Sequence, residues 1–561
     1  MGEQGSFEES EGKIIGRLVD TYIVEADKVP ATVNIWDVQK ENIPIYEIRM
    51  PKIAEATEAL LNDIRDELAK KIPIEIDDIT DTREIDELKQ KFFNEAKKII
   101  SEHLGIATIA TNNEEKQASK EKQDNKGKQD INNKDQKKGN EKDDQKVNII
   151  SGIMLHRMFG LGFFDVVMAD NWLEELAVNG ASNPISVYHK KHGWCKTSVR
   201  LKNEEEIFNL SSMIGRKVGR EINSLNPIMD AHLLSGDRVA STLFPISTAG
   251  NTITIRRFAR NPWTIIHFIS PEYKTMSLEM AALLWMAMHY ELNVMVAGGT
   301  ASGKTSILSA ISGLIPPNQR VISIEDTREI TLPEPLHWNW VPLTTRQKNP
   351  EGQGEVKMLD LMISSLRMRP DRIIVGEVRR KAQAETMFEA MHTGHSVYTT
   401  MHADTAEQVK RRLLEPPIQI PKEEAESLHL IMVQYRDRRK GVRRTLEIAE
   451  VLSGGKEDLD INYLYRWLPR NDKFEKANES MRIFENLNMH TGMTPKEIND
   501  DLRERESILQ WMLDNDIKDI DEVGKIMSIY YKNKELLLNY VRGKKKPDSS
   551  LNFEERQENA E

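Results

Sequence analysis

Residues 293–314 read NVMVAGGTASGKTSILSAISGL, an apolar run, a glycine loop with the spacing G-x-x-x-x-G-K-[ST], and an apolar-periodic helix that follows at once. No other stretch constrains the fold as much, because such a loop works only when a strand delivers it and a helix receives it. Gly298 and Gly303 let successive backbone N–H groups curl around a phosphate, and the helix N-terminus adds its partial positive charge. Lys304 is placed to reach the β- and γ-phosphates, and the Thr305 hydroxyl to hold Mg²⁺. Thr300, Ser302 and Ser306 complete the expected nucleotide-binding set. The chain is expected to bind a nucleoside triphosphate, with ATP and Mg²⁺ as its cofactors.

Hydrolysis needs a carboxylate to orient or deprotonate water, and positive charge to meet the charge developing on the γ-phosphate. RVISIED is a strand ending in Glu325 and Asp326, and DRIIVGEVRR is a strand ending in Gly376, Glu377 and Arg379. SVYTTM is a third strand, with His402 at its carboxyl end and His395 before its amino end. Strand-like and helical runs alternate here, the pattern of a parallel sheet flanked by helices. In such a sheet ligands lie beyond the carboxyl ends of the strands, so Glu325, Glu377 and His402 fall on the phosphate-loop edge. A common second nucleotide motif ends its strand in paired acids, and here Gly376 replaces the first. Glu325 and Glu377 therefore compete for the water-activating role. A neutral imidazole at His402 is suited to hydrogen-bond the γ-phosphate or its water. His395 is expected to face away and to be satisfied structurally.

The rest of the chain divides into an α/β domain at 1–111, a charged disordered linker at 112–147, a second N-terminal lobe at 148–271 and a P-loop motor domain at 272–453. A helical region at 454–543 and a disordered tail at 544–561 follow. Within the helical region TPKE, from Thr494, supplies an N-cap, a proline at the first position and a glutamate at the third. A single cysteine, Cys195, excludes an internal disulfide and a thiolate zinc cluster, which points to a reducing cytoplasm. The net charge of -11 argues against a nucleic-acid coat. No stretch approaches about eighteen uninterrupted apolar residues, and MAALLWMAMHY, from Met280, reads as a core helix. The amino-terminal segment lacks an apolar h-region, so a secretory signal is not expected. YRDRRKGVRR, Tyr435 to Arg444, lies between two strand-like runs and reads as an exposed hairpin tip rather than a nucleic-acid patch.

Over roughly residues 170–451 the chain resembles the secretion ATPase superfamily that powers type II secretion, type IV pili, archaella and some conjugative type IV systems. The landmarks are GGTASGKT, SIEDTREI, PDRIIVGEVR and TGHSVYTTMHADT, and the likeness leans towards archaeal members. The resemblance implies an α/β fold: a RecA-like P-loop core with a mixed α/β N-terminal lobe, an additional N-terminal domain and a helical C-terminal region. It also implies a homohexamer, peripheral to the cytoplasmic face of the membrane, that works with a polytopic inner-membrane platform protein and a pilin-like filament system. Pilus assembly or secretion is the expected function, with the archaellum as an alternative and a nucleic-acid translocase as a rival of another class. No nucleic acid is expected as a partner. Arg238, Arg256, Arg257, Arg367, Arg369 and Arg379 are candidates to meet phosphate oxygens. Glu377 is also a candidate magnesium ligand, directly or through water. The chain lacks the tetracysteine module of bacterial type II relatives, so no metal other than Mg²⁺ is implied.

Overall fold

The computed structural model describes residues 16–51, 55–71, 82–104, 132–233, 235–257, 262–348, 352–437, 439–453 and 459–547. Residues 112–131 of the expected linker, and the expected tail from 548, lie outside the described residues. The chain forms two compact units, 1–258 and 259–561.

The first unit carries β1 (Arg17–Ala26), β2 (Val29–Asp37), β3 (Ile45–Arg49), β4 (Leu173–Asn179), β5 (Ser186–His189), β6 (Gly193–Thr197), β7 (Ile228–His232), β8 (Arg238–Thr242) and β9 (Thr252–Arg256). They make one sheet in the order β1-β2-β3-β6-β5-β4-β9-β8-β7. Parallel pairing of β3 with β6 joins strands from the stretches set apart above as 1–111 and 148–271. A buried carboxylate reinforces the join: Asp170 accepts hydrogen bonds from the hydroxyls of Tyr22 and Tyr46, both at 2.8 Å. Such pairing is non-local, and composition carries no trace of it.

Helices at Glu55–Lys71, Thr82–Leu104 and Asn132–Met158 share a small core of their own, in which Leu61, Ile64, Phe92, Ile99 and Leu155 are buried. The last of them begins at Asn132, inside the segment expected as linker. Its second half holds the buried Val147, Met154 and Leu155, and packing there gives the helix a nucleus from which it propagates back through polar sequence. Cys195 is buried in the main core of this unit, and burial pushes its thiol up to about 11, which makes it a packed and unreactive residue.

The second unit carries β10 (Val294–Gly298), β11 (Val321–Glu325), β12 (Trp340–Thr344), β13 (Arg372–Val375), β14 (Ser396–Met401), β15 (Leu430–Asp437), β16 (Val442–Leu452), β17 (Asp460–Leu468) and β18 (Lys473–Lys476). Their order is β12-β11-β13-β14-β10-β15-β16-β17-β18. The first six are parallel and the last three are added antiparallel. Every residue of β10, β11, β13 and β14 is buried, as a sheet covered on both faces requires. The two-residue period sends Val294 and Val296 to one core and Met295 and Ala297 to the other. The sheet thus runs past 453, through β17 and β18, before the helical region begins.

Four helices, Arg482–Thr491, Pro495–Asp514, Ile520–Lys532 and Lys534–Arg542, then close one face of the sheet. They pack with the helix Leu278–His289, whose residues Met280 to Met288 are all buried, so that apolar stretch is core. Arg505, fully buried, ties the two helices by donating to His289 Nδ1 at 2.8 Å, while Asp501 Oδ2, one turn back on its own helix, accepts from it at 2.8 Å. Burial, and then the Arg505 charge, bring His289 down to about 3, so its neutral ring accepts that bond. Thr494 caps Pro495–Asp514 by the reciprocal box that the sequence predicts: its amide donates to Glu497 Oε2 at 2.8 Å, and its hydroxyl accepts from the Glu497 amide at 3.3 Å. Thr494→Ala is expected to cost about 1 kcal/mol in denaturant unfolding, with the secondary structure content unchanged.

Candidate functional site

The loop after β10 turns on two backbone conformations that favour glycine. Gly298 has φ 153°, and a side chain there would stand 2.4 Å from Ser302 Oγ and 2.5 Å from the Gln434 carbonyl. Gly303, at φ 94°, caps the helix Lys304–Ser312. Between them Ala301 holds a left-handed φ of 59°, uncommon for a residue with a side chain. Ser302 Oγ is buried in the loop with no hydrogen-bond partner. Thr305 is half-buried and Ser306 exposed, while Thr300 and Ala301 lie on the open surface of the loop.

Lys304 leads the helix, is buried, and donates to the Gly299 carbonyl at 3.0 Å. Its ammonium also lies 3.3 Å from His402 Nδ1. An ammonium only donates, so Nδ1 accepts, and the neutral ring carries its proton on Nε2. That Nε2 lies 3.4 Å from Glu377 Oε1. Glu377 in turn accepts from Arg379 at 2.7 Å, and the other arm of Arg379 lies 3.4 Å from Asp326. A continuous line, Lys304, His402, Glu377, Arg379 and Asp326, therefore runs along the carboxyl ends of β14, β13 and β11. Burial first, and then the Lys304 charge, hold His402 below its ordinary value against the opposing pull of Glu377. Arg412 fixes the backbone beside it by donating to the His402 carbonyl at 2.5 Å.

Glu325 is adjacent but differently housed. It is 2% exposed at the end of β11, and its Oε1 accepts from the amides of Glu329 and Ile330 at 2.9 and 3.0 Å. Burial lifts its carboxyl to about 7, only partly opposed by those two bonds. Gly376 explains part of the crowding: a side chain there would stand 3.4 Å from the Glu325 Cγ. A second acid in that position would press a like charge on an already desolvated carboxyl.

The candidate arginines have different fates. Arg379 belongs to the line above. Arg367 is exposed in the turn that leads into β13, at the amino edge of the sheet and opposite the phosphate loop, and Arg369 lies in the same turn. The resemblance marks arginines without marking which strand end carries them. Arg238 and Arg257 lie in the first unit. Arg238 is paired with Asp230 at 2.5 Å, and Arg257 donates to the carbonyls of Leu173, at 2.9 Å, and Asp170. Arg256 is also in that unit, opposite Arg238 on the neighbouring strand. His395 sits before the amino end of β14, where its Nδ1 lies 3.2 Å from the Ala390 carbonyl.

The hairpin β15–β16 is present where the sequence predicts it, but its basic run is divided. Arg444 is buried and bound to Asp472 at 2.7 and 2.8 Å. Arg443 reaches the phosphate loop, donating from Nε to the Ala301 carbonyl at 3.2 Å. Arg412 and Arg443 both act on main-chain oxygens, the first ten residues away and the second more than a hundred, so no motif marks them.

Residues 228–440 match the type II/IV secretion system protein family. Over 388 residues the chain is 33% identical to an uncharacterized protein of Methanocaldococcus jannaschii, which covers 68% of this chain and 69% of that one. It is 27% identical over 285 residues to the type IV secretion system protein PtlH of Bordetella pertussis, across 47% of this chain and 81% of that one. Among solved structures, the VirB11 ATPase of the Brucella suis type IV secretion system is 25% identical, over 50% of this chain and 90% of that one, at a TM-score of 0.26.

Proposed function

The chain belongs to the type II/IV secretion system protein family, and from that premise we infer that it is a magnesium-dependent ATPase motor. It works as a homohexamer, peripheral to the cytoplasmic face of the membrane, and couples ATP hydrolysis to pilin-like filament assembly or secretion through a polytopic platform protein. The observation that carries this reading is the line from Lys304 through His402 to Glu377, built at the mouth of a glycine loop.

Lys304 marks where the terminal phosphate binds, since its ammonium is the loop's own cation. Its present partner, the lone pair of His402, is a weaker acceptor than a phosphate oxygen, so substrate entry transfers Lys304 from imidazole to phosphate. His402 is then left beside the terminal phosphate with a proton on Nε2, and Glu377 stands next to it. Glu377 is the acid in line with Lys304, at 15% side-chain exposure within reach of water, and is therefore the water-orienting group. Glu325, with both bonds to backbone amides, positions the segment that leads from β11 to Ile330. Thr305 and Glu377 offer the hard oxygen donors that Mg²⁺ takes, and the orphaned Ser302 hydroxyl leaves the loop a further polar atom to satisfy. When bound, that ion neutralises charge on the phosphates.

Phosphate release by the purified chain in ATP and Mg²⁺ tests the reading. His402→Ala is expected to retain nucleotide binding while turnover falls about 10²-fold. Stimulation of the wild-type chain by DNA alone, or the absence of phosphate release under any condition, would contradict a secretion motor.

A further inference from the structure

We propose that Arg443 is a nucleotide-positioning residue that pairs with the phosphate nearest the sugar. The assignment deepens the ATPase reading above and rests on it.

Three observations carry it. The first is contact: Arg443 Nε donates to the carbonyl of Ala301, the left-handed residue of the phosphate loop, at 3.2 Å. Its Cδ would lie 3.7 Å from a side chain placed on Gly303, so its stem runs along the loop as far as the helix cap. The second is spare capacity. A guanidinium has five N–H donors, and only Nε is used; among the described residues neither Nη has a protein partner. Arg444, one residue on, has its donors taken by Asp472 and by the carbonyls of Tyr273 and Arg443. Arg443 thus presents an open fork, the arrangement that matches two oxygens of one phosphate.

The third is side. In the sheet β10 lies between β14 and β15. The line of His402, Glu377 and Arg379 is carried by β14 and β13, on one flank of the loop, where the terminal phosphate must lie for hydrolysis. Arg443 comes from β16, on the other flank, beyond β15. A triphosphate whose terminal end faces the acids and imidazole directs its sugar end to the flank that Arg443 occupies. Arg443 therefore meets a phosphate that ATP and ADP share, and its bond to Ala301 couples that contact to the conformation of the loop.

Arg443→Ala and Arg443→Lys test this against the wild-type chain, with ATP and ADP affinities measured by calorimetry and turnover followed by phosphate release. Arg443→Ala is expected to weaken ATP and ADP equally, by about tenfold, and to raise KM by a similar factor with kcat changed less than about twofold. Arg443→Lys, which keeps the charge and loses the fork, is expected to recover part of the loss, and the melting temperature to stay unchanged. Unchanged affinity, or a loss confined to ATP or to kcat, would overturn the assignment. Failure of the wild-type chain itself to bind either nucleotide would instead overturn the ATPase reading beneath it.

Discussion

Lys304→Ala is expected to reduce ATP turnover by about 10³-fold or more while leaving the fold intact. The catalytic half of that expectation follows from chemistry. The ammonium is the charge the loop itself sets against the β- and γ-phosphates, and nothing else in the loop carries one. The structural half follows from its contacts. Lys304 donates to one loop carbonyl and to His402, and neither bond holds an element of the core. The helix it leads is anchored instead by Ile307, Leu308 and Ile311, all buried. Phosphate release, together with circular dichroism and thermal melting, checks both halves. Normal turnover would refute the site.

Replacing each acid separately distinguishes their roles. Glu377→Gln keeps the shape of the side chain but removes the charge opposite His402 and Arg379, and is expected to lower kcat by 10² to 10³, roughly, with KM little changed. Glu325→Gln is expected to act chiefly on stability. Its carboxyl is held at about 7 in the folded chain against an ordinary value of 4.5, so the folded state keeps a proton that the unfolded state has already released. The contribution of this group is fully present below 4.5 and is lost as the pH rises through about 7. Glutamine cannot ionise, so the variant should lose that decline, and denaturant midpoints measured from pH 4 to pH 8 or so would fall less steeply than in the wild-type chain. A larger catalytic loss from Glu325→Gln than from Glu377→Gln would exchange the two assignments.

Much of this architecture is legible in the chain because its causes are local. The strand, glycine loop and helix around Lys304 follow from the order and spacing of neighbouring residues, as does the capping box of Thr494, Pro495 and Glu497. That His402 and Glu377 stand on the phosphate-loop edge follows from one further rule, that parallel strands present their carboxyl ends together. What could not be read depends on which strands become neighbours. β3 joins β6 across more than a hundred residues, and the β15–β16 hairpin meets the phosphate loop only because β15 pairs with β10. The basic run 435–444 therefore reads as a uniform exposed tip in sequence, whereas pairing buries Arg444 and aims Arg443 at Ala301. Arg367 shows the same limit from the other side. Its nearness to the second nucleotide motif in sequence places it before β13, and so at the opposite end of the strand from Glu377.

The most direct test is a structure of the chain with Mg²⁺ and a non-hydrolysable ATP analogue. Lys304 is expected to leave His402, now 3.3 Å away, for the terminal phosphate, with Glu377 and His402 facing that phosphorus across a single water. A terminal phosphate bound elsewhere, with the contact between Lys304 and His402 undisturbed, would contradict it.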